Sequence, residues 1–301
     1  MQVLINQKQV DVELESESTL GEVMEGIRGW LNESQLYITD VVVDDEGVQL
    51  DTPHTWEQTN VDNVGTIEIR ALPAWEVRSN GLGILAQYFS LLHEAVEQRD
   101  ESRLSQLAAE AETISTSLPT YAQDLVDAEK RDDPLFRVVD APEIREGRLP
   151  EDERRSRLLT YLEQAVTLLK SRAREIEEPF QEAGATAQML RGLIPEMNDV
   201  SVVLQRGDDG RAMDMIVRFT ELVAKLLRVM PNVVRVDAEP RLSREQLERY
   251  GSELNATLEE LVGAFNAQDS VLIGDLVEYE LVPKIEELLE HVPEPKGSES
   301  S

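Results

Sequence analysis

Between Val10 and Leu31 the hydrophobic period of the chain changes. Val10, Val12 and Leu14 alternate with polar residues at the two-residue spacing of a strand. Leu20, Val23, Met24, Ile27, Trp30 and Leu31 then fall at i, i+3, i+4, i+7, i+10 and i+11, the spacing of an apolar stripe along one helix. Thr19 with Glu22 supplies a capping box at the start of that helix. A short run at Val3, Leu4 and Ile5 precedes this switch, with a polar turn after it, and Tyr37 to Val43 follows. Next come a turn at Asp44-Asp45-Glu46-Gly47, a short return through Val48 and Leu50, and a last strand at Thr66 to Leu72. In that last strand Ile67 and Ile69 are expected to face in, and Glu68 and Arg70 out. One helix among several strands buries its stripe only by crossing a mixed sheet, which is the β-grasp arrangement.

These segments resemble ubiquitin and the ubiquitin-like folds. "MQVLIN" and "VDVELE" are similar to the first hairpin, "TLGEVMEGI" to the helix, "EGVQLD" to the short strand, and "NVDNVGTIEIRAL" to the last loop and strand. The resemblance covers about a quarter of the chain and implies architecture. Two departures limit what it implies for function. The segment "EIRALPAWEV" continues through Pro73 where ubiquitin ends in a free diglycine, so conjugation is not carried over. Asp44, Glu68 and Arg70 fall about where ubiquitin presents its apolar receptor-binding face, so ordinary ubiquitin receptors are not implied. What remains is a compact module that offers a sheet surface or edge to a partner.

From about Gly81 helical stripes take over. Leu82, Leu85, Tyr88, Phe89, Leu92 and Val96 form one, and Leu104, Leu107, Ala108, Ala111 and Ile114 the next. Three polar tips of similar composition, "EQRDESR", "LQRGDDGR" and "FNAQDSV", join helix to helix and point to repeated αα-hairpins. Each tip carries an aspartate (Asp100, Asp208 or Asp209, and Asp269) placed to cap the following helix. A long helix over residues 152–176 adds a further stripe. Pro195 and Pro283 are expected to kink their helices, in a bundle of roughly seven to nine. The expected fold class is therefore α+β: a β-grasp domain over residues 1–73, then an all-α bundle over 74–292. Within the bundle the proline-punctuated residues 132–151 offer an internal break, and 293–301 form a low-complexity tail.

Charge and composition narrow the function. With 60 acidic against 29 basic residues, a net charge of -31 repels nucleic-acid phosphates; the acidity serves either solubility, as in a salt-rich cytoplasm, or a basic, mixed-charge or amphipathic-helix protein partner. There is no cysteine, which excludes disulfides and thiolate metal sites. The chain goes into strand alternation without a basic segment and apolar run, and no stretch approaches a membrane span; a soluble, cytoplasmic protein without membrane insertion is expected. Of the three histidines, His54, His93 and His291, none has a ligand-spaced neighbour, so no metal, cofactor or catalytic centre is expected. "GDDGR" lacks the lysine of a phosphate loop and the later ligands of an EF-hand, and "NGLG" is too short for a dinucleotide fingerprint.

Two basic concentrations stand out. Arg154, Arg155, Arg157, Lys170, Arg172 and Arg174 share one helix, and Arg211, Arg218, Lys225 and Arg228 run along another. Either row can receive an acidic ligand, although internal ion pairing is the expected use. Trp75, just after the last strand, is a candidate binding anchor. The reading is a non-enzymatic interaction module, adaptor or scaffold whose bundle grooves accept amphipathic helices of a partner while the β-grasp surface adds a second contact, with Trp75, Arg211, Arg218, Lys225 and Arg228 as candidate protein-binding residues. An assembly chaperone or structural component of a bacterial secretion or flagellar motility machine is the alternative. "AQDSVLIGDLVEYELVPKIEELL" resembles a segment of uncharacterised bacterial proteins from motility-rich genomes. An enzyme built only from carboxylates and arginines is the third class.

Overall fold

The computed structural model describes residues 1–12, 17–50, 56–125 and 134–293. Leu14, His54, residues 132–133 and the tail from 294 onward lie outside the described residues. The chain opens with strands β1 (Gln2–Ile5) and β2 (Lys8–Val10), helix α1 (Leu20–Glu33), and strands β3 (Leu36–Val43), β4 (Glu46–Val48) and β5 (Thr66–Pro73). The sheet order is β2-β1-β5-β3-β4, with β1 parallel to β5 and every other pairing antiparallel. The arrangement is α+β, and the mixed sheet packed against α1 is compatible with a β-grasp.

Local chemistry explains both hairpins. The β1–β2 turn uses Asn6 and Gln7, and the β3–β4 turn Asp44 and Asp45, all with positive φ. Two consecutive left-handed residues give the turn whose twist matches the strands it joins, and asparagine and aspartate tolerate that conformation best after glycine. Asn6 also ties the first turn to the last strand, donating to the Ala71 carbonyl at 2.8 Å and accepting from its N–H at 3.0 Å. Between helix and sheet, Leu20, Met24 and Leu31 of α1 are buried with Val3, Val41, Ile67 and Ile69. Thr19 and Glu22 form the capping box that starts α1.

Ala74 begins α2 (Ala74–Gln98) directly from β5. It is followed by α3 (Glu101–Ala108), α4 (Ala111–Tyr121), α5 (Pro134–Val139), α6 (Pro142–Glu146) and α7 (Asp152–Glu177). The stripe Leu82, Leu85, Tyr88, Phe89, Leu92 and Val96 is buried along α2. Gly81 lets α2 approach Tyr121 so closely that a Cβ there would stand 2.3 Å from its ring. Within the proline-punctuated connector, α5 and α6 are helical, with Leu135, Val138, Val139 and Ile144 fully enclosed. Gly147, at φ +64°, ends α6 against the Ser105 backbone, where a side chain would collide.

The remaining helices are α8 (Pro179–Asn198), α9 (Val200–Gln205), α10 (Asp209–Val236), α11 (Arg244–Asn266), α12 (Ser270–Asp275) and α13 (Val282–Glu290). Their core centres on Phe219, Val223, Leu226, Leu254, Leu281 and Ile285. A π-helical segment, Leu276–Leu281, joins α12 to α13, and the Val282 N–H there bonds the Val277 carbonyl. Pro283 follows immediately; it has no N–H to continue the ordinary ladder, and the widened turn absorbs the loss. Pro195 lies inside α8, and Pro119 and Pro231 lie inside α4 and α10. Among the described residues the helices are more numerous than the seven to nine expected, because the stretch 101–121 divides at Ala109-Glu110, the connector itself forms α5 and α6, α8 stops at Asp199 before α9, and the last helical segment divides into α12 and α13.

By contacts the chain forms two compact units, Met1–Ala173 and Arg174–Ser301, the division falling near the end of α7. Among the described residues no helix is long and apolar enough to cross a membrane.

Candidate functional site

Edge strand β2 is paired on one side only among the described residues, with β1. A two-residue hairpin closes with a hydrogen-bonded pair, here Ile5 and Lys8, so the next residue, Gln9, turns its backbone N–H and C=O away from β1. Beside this edge runs a groove of about 400 Å3 between β2 and α1. On the β side it is lined by Ile5, Val10 and Val12, and on the α1 side by Val23, Gly26, Ile27 and Trp30. Its acidic lining comes from Asp11, Glu17 and Glu22.

Two features of α1 open this groove. Gly26 has nothing within 4 Å of where a Cβ would stand, so the missing side chain is open space above the helix backbone. Trp30, placed by sequence in the core stripe, is 52% exposed. At 100° per residue it sits roughly 80° off the centre of the buried face, on the flank that Val23 and Gly26 share. A seven-residue template groups it with the core, whereas the helical angle sets it at the edge. That angle, with glycine one turn earlier on the same flank, was the available signal for this site.

The acidic lining is partly committed. Glu22 accepts from the backbone N–H groups of Ser18 at 2.7 Å and Thr19 at 3.2 Å, and these bonds hold its carboxyl below the usual range. It therefore stays ionised in the groove while closing the helix cap.

The residues expected to bind partners fall in both units, Trp75 in the first and the α10 row in the second. Trp75 lies half-buried in the first turn of α2 and does not line the β2–α1 groove. The row on α10 divides in two. The Lys225 ammonium meets Glu182 at 2.6 Å, and Arg228 reaches both oxygens of Glu175 at 3.4 Å, a carboxylate only 4% exposed. Arg211 and Arg218 are exposed, and Arg211 lies where Asp208 accepts from its backbone N–H. The row on α7 disperses likewise: Arg155 donates to the carbonyls of Val96 and Glu97, Arg172 pairs with Asp124, and Arg174 with Glu182.

The charged sheet face is also rearranged from its sequence reading. Glu68 and Arg70 line an open hollow with Asn6 and Asp40, but the Asp44 carboxylate turns away to accept from Gly65 and Thr66. His93 stands 3.9 Å from Glu97 one turn later, and His291 ends α13 beside the Tyr250 ring. Among the described residues no group of three or more histidine or acidic side chains is placed to hold a metal ion.

Comparison with known proteins places two stretches. Residues 1–73 match a family model described as the TP0873 N-terminal domain, and residues 183–291 match one described as a domain of unknown function, DUF8042. A curated protein of Treponema pallidum (strain Nichols), described as an uncharacterized protein, is 27% identical over 94 residues. That alignment covers 31% of this chain and 47% of the relative, so the chain spans about half the length of the protein it matches. No solved structure matches significantly.

Proposed function

We propose that this chain works by binding another protein rather than by catalysis, and that its first 73 residues are a ubiquitin-like β-grasp module whose β2–α1 groove is the binding element. One observation carries the reading: an open apolar groove lies directly beside an edge strand with outward backbone groups. An extended segment laid along β2 would gain main-chain hydrogen bonds at Gln9 and place alternate side chains over Gly26 and against Trp30. With three residues, β2 supplies few such bonds. Affinity therefore rests on the side-chain anchor, as aromatic-walled interface pockets usually do. Asp11, Glu17 and Glu22 select a partner with lysine or arginine flanking its apolar residues. This keeps the role of adaptor or scaffold and gives it a surface.

Selection of random linear peptides on the full chain tests the proposal. Enriched sequences should carry an apolar core with basic flanks and lose at least tenfold in affinity to Gly26→Leu, which fills the groove. That variant should fold normally, since its Cβ meets nothing. Peptides that bind Gly26→Leu as well as the parent would overturn the assignment of the groove.

A further inference from the structure

A second concave surface, in the helical part of the same unit, has the opposite chemistry. Residues 134–161 carry six arginines and six acidic residues, a balanced stretch in a chain with twice as many acids as bases. A groove of about 390 Å3 is built there between α5, α6 and α7. Phe136, Pro142 and Leu158 give it an apolar wall, and Arg137, Arg154 and Arg157 its cations.

The acids around this groove are largely committed. Asp140 is held by Arg145 at 2.7 Å. Glu143, with its side chain 5% exposed, receives one Arg154 nitrogen at 2.9 Å, and this fixes a guanidinium that is itself 54% exposed. A buried carboxylate holding an exposed arginine is a positioning device, because one N–H anchors the fork while the guanidinium has further donors to offer. Arg137 lies over the Tyr161 ring, 5.2 Å from its centre, and donates to its hydroxyl at 2.9 Å. Arg157, 63% exposed, meets Glu153 at 3.5 Å, a carboxylate itself 91% exposed. An exposed pair of that geometry contributes little and yields readily to a better acceptor.

We infer that this groove is a docking site for an acidic peptide segment, with a carboxylate taken by Arg154 and Arg157 and a neighbouring apolar side chain laid on Phe136 and Leu158. Charge complementarity carries the choice of occupant: the groove concentrates arginine donors on a surface that elsewhere repels acids. The inference is independent of the β2–α1 groove, whose lining calls for the opposite charge in its partner.

The test uses the full chain with 15N-labelled arginine and two peptides, acetyl-Glu-Leu-Phe-Asp-Glu-amide and its isosteric acetyl-Gln-Leu-Phe-Asn-Gln-amide. The acidic peptide should shift the Nε–Hε signals of Arg154 and Arg157 saturably, and the amide analogue should not. Arg157→Gln should weaken binding at least tenfold while leaving the fold intact, since its partner Glu153 is exposed. Arg154→Gln should do the same but also releases buried Glu143, so Arg157→Gln is the deciding variant. Equal binding of both peptides, no saturation at millimolar peptide, or unchanged affinity in Arg157→Gln would overturn the inference. So would inorganic phosphate displacing the peptide at concentrations where acetate does not, because the groove would then be a phosphoryl site.

Discussion

Single residues in this chain repeatedly serve two elements at once. Asp44 is the clearest case: left-handed at φ 48° in the β3–β4 turn, it also accepts from the Thr66 N–H at 2.7 Å and the Gly65 N–H at 2.9 Å. Those bonds, with Thr66 foremost, hold its carboxyl below the ordinary aspartate range. A carboxyl depressed in the folded state contributes stability above its unfolded pKa and loses it as pH falls through the folded one. Asp44→Asn keeps the turn conformation but removes the charge. Its melting temperature should be lower than the parent's at pH 7, and the gap should close as both are taken below pH 4; a gap independent of pH would contradict this role. Sequence located Asp44 in a turn correctly, because turn chemistry is local. Sequence places its carboxylate on the sheet face, because the partners that draw it away lie twenty-one and twenty-two residues further on. Trp30 shares the apolar spacing of the core stripe but stands on the flank of α1, which lines the groove beside the edge strand.

At the scale of elements, the three helical tips share one construction. Arg99, Gly207 and Gln268 take the left-handed conformation that ends a helix. The aspartate after each, Asp100, Asp208 or Asp269, sends its N–H back to a carbonyl five residues earlier. Its side chain caps the next helix through the N–H of Arg103, Arg211 or Leu272. One residue thus closes one helix and opens another, satisfying orphan groups of both. Replacing any of the three by alanine should cost about 1 kcal/mol in chemical denaturation, and asparagine, which still accepts, should cost less. Equal losses for alanine and asparagine would show that charge and not capping is at work. Caps were legible because their partners lie three residues away. Helix interruptions were less so: the break at Ala109-Glu110 has no proline or glycine to mark it, and the π-helical turn before Pro283 is one of several ways a helix can absorb a missing donor.

Across the whole molecule, the α+β order was readable because the change from a two-residue to a 3.6-residue period is a property of the chain itself. The two grooves are less readable, since each is built from residues distant in sequence, such as Val10 with Trp30 or Arg137 with Arg157. The arginine rows show the same limit. Their spacing was visible, but only packing decides that Arg228 goes to a buried Glu175 while Arg157 stays at a groove. A net charge of -31 does not act uniformly: it surrounds one apolar groove with carboxylates and leaves another lined with arginines. The central claim is that a partner segment lies against β2, and amide hydrogen exchange at Gln9 reads this directly. With a peptide selected on the intact chain bound to saturation, exchange of the Gln9 N–H should slow at least tenfold. Unchanged exchange at Gln9, with protection appearing only in residues 174–293, would contradict the account.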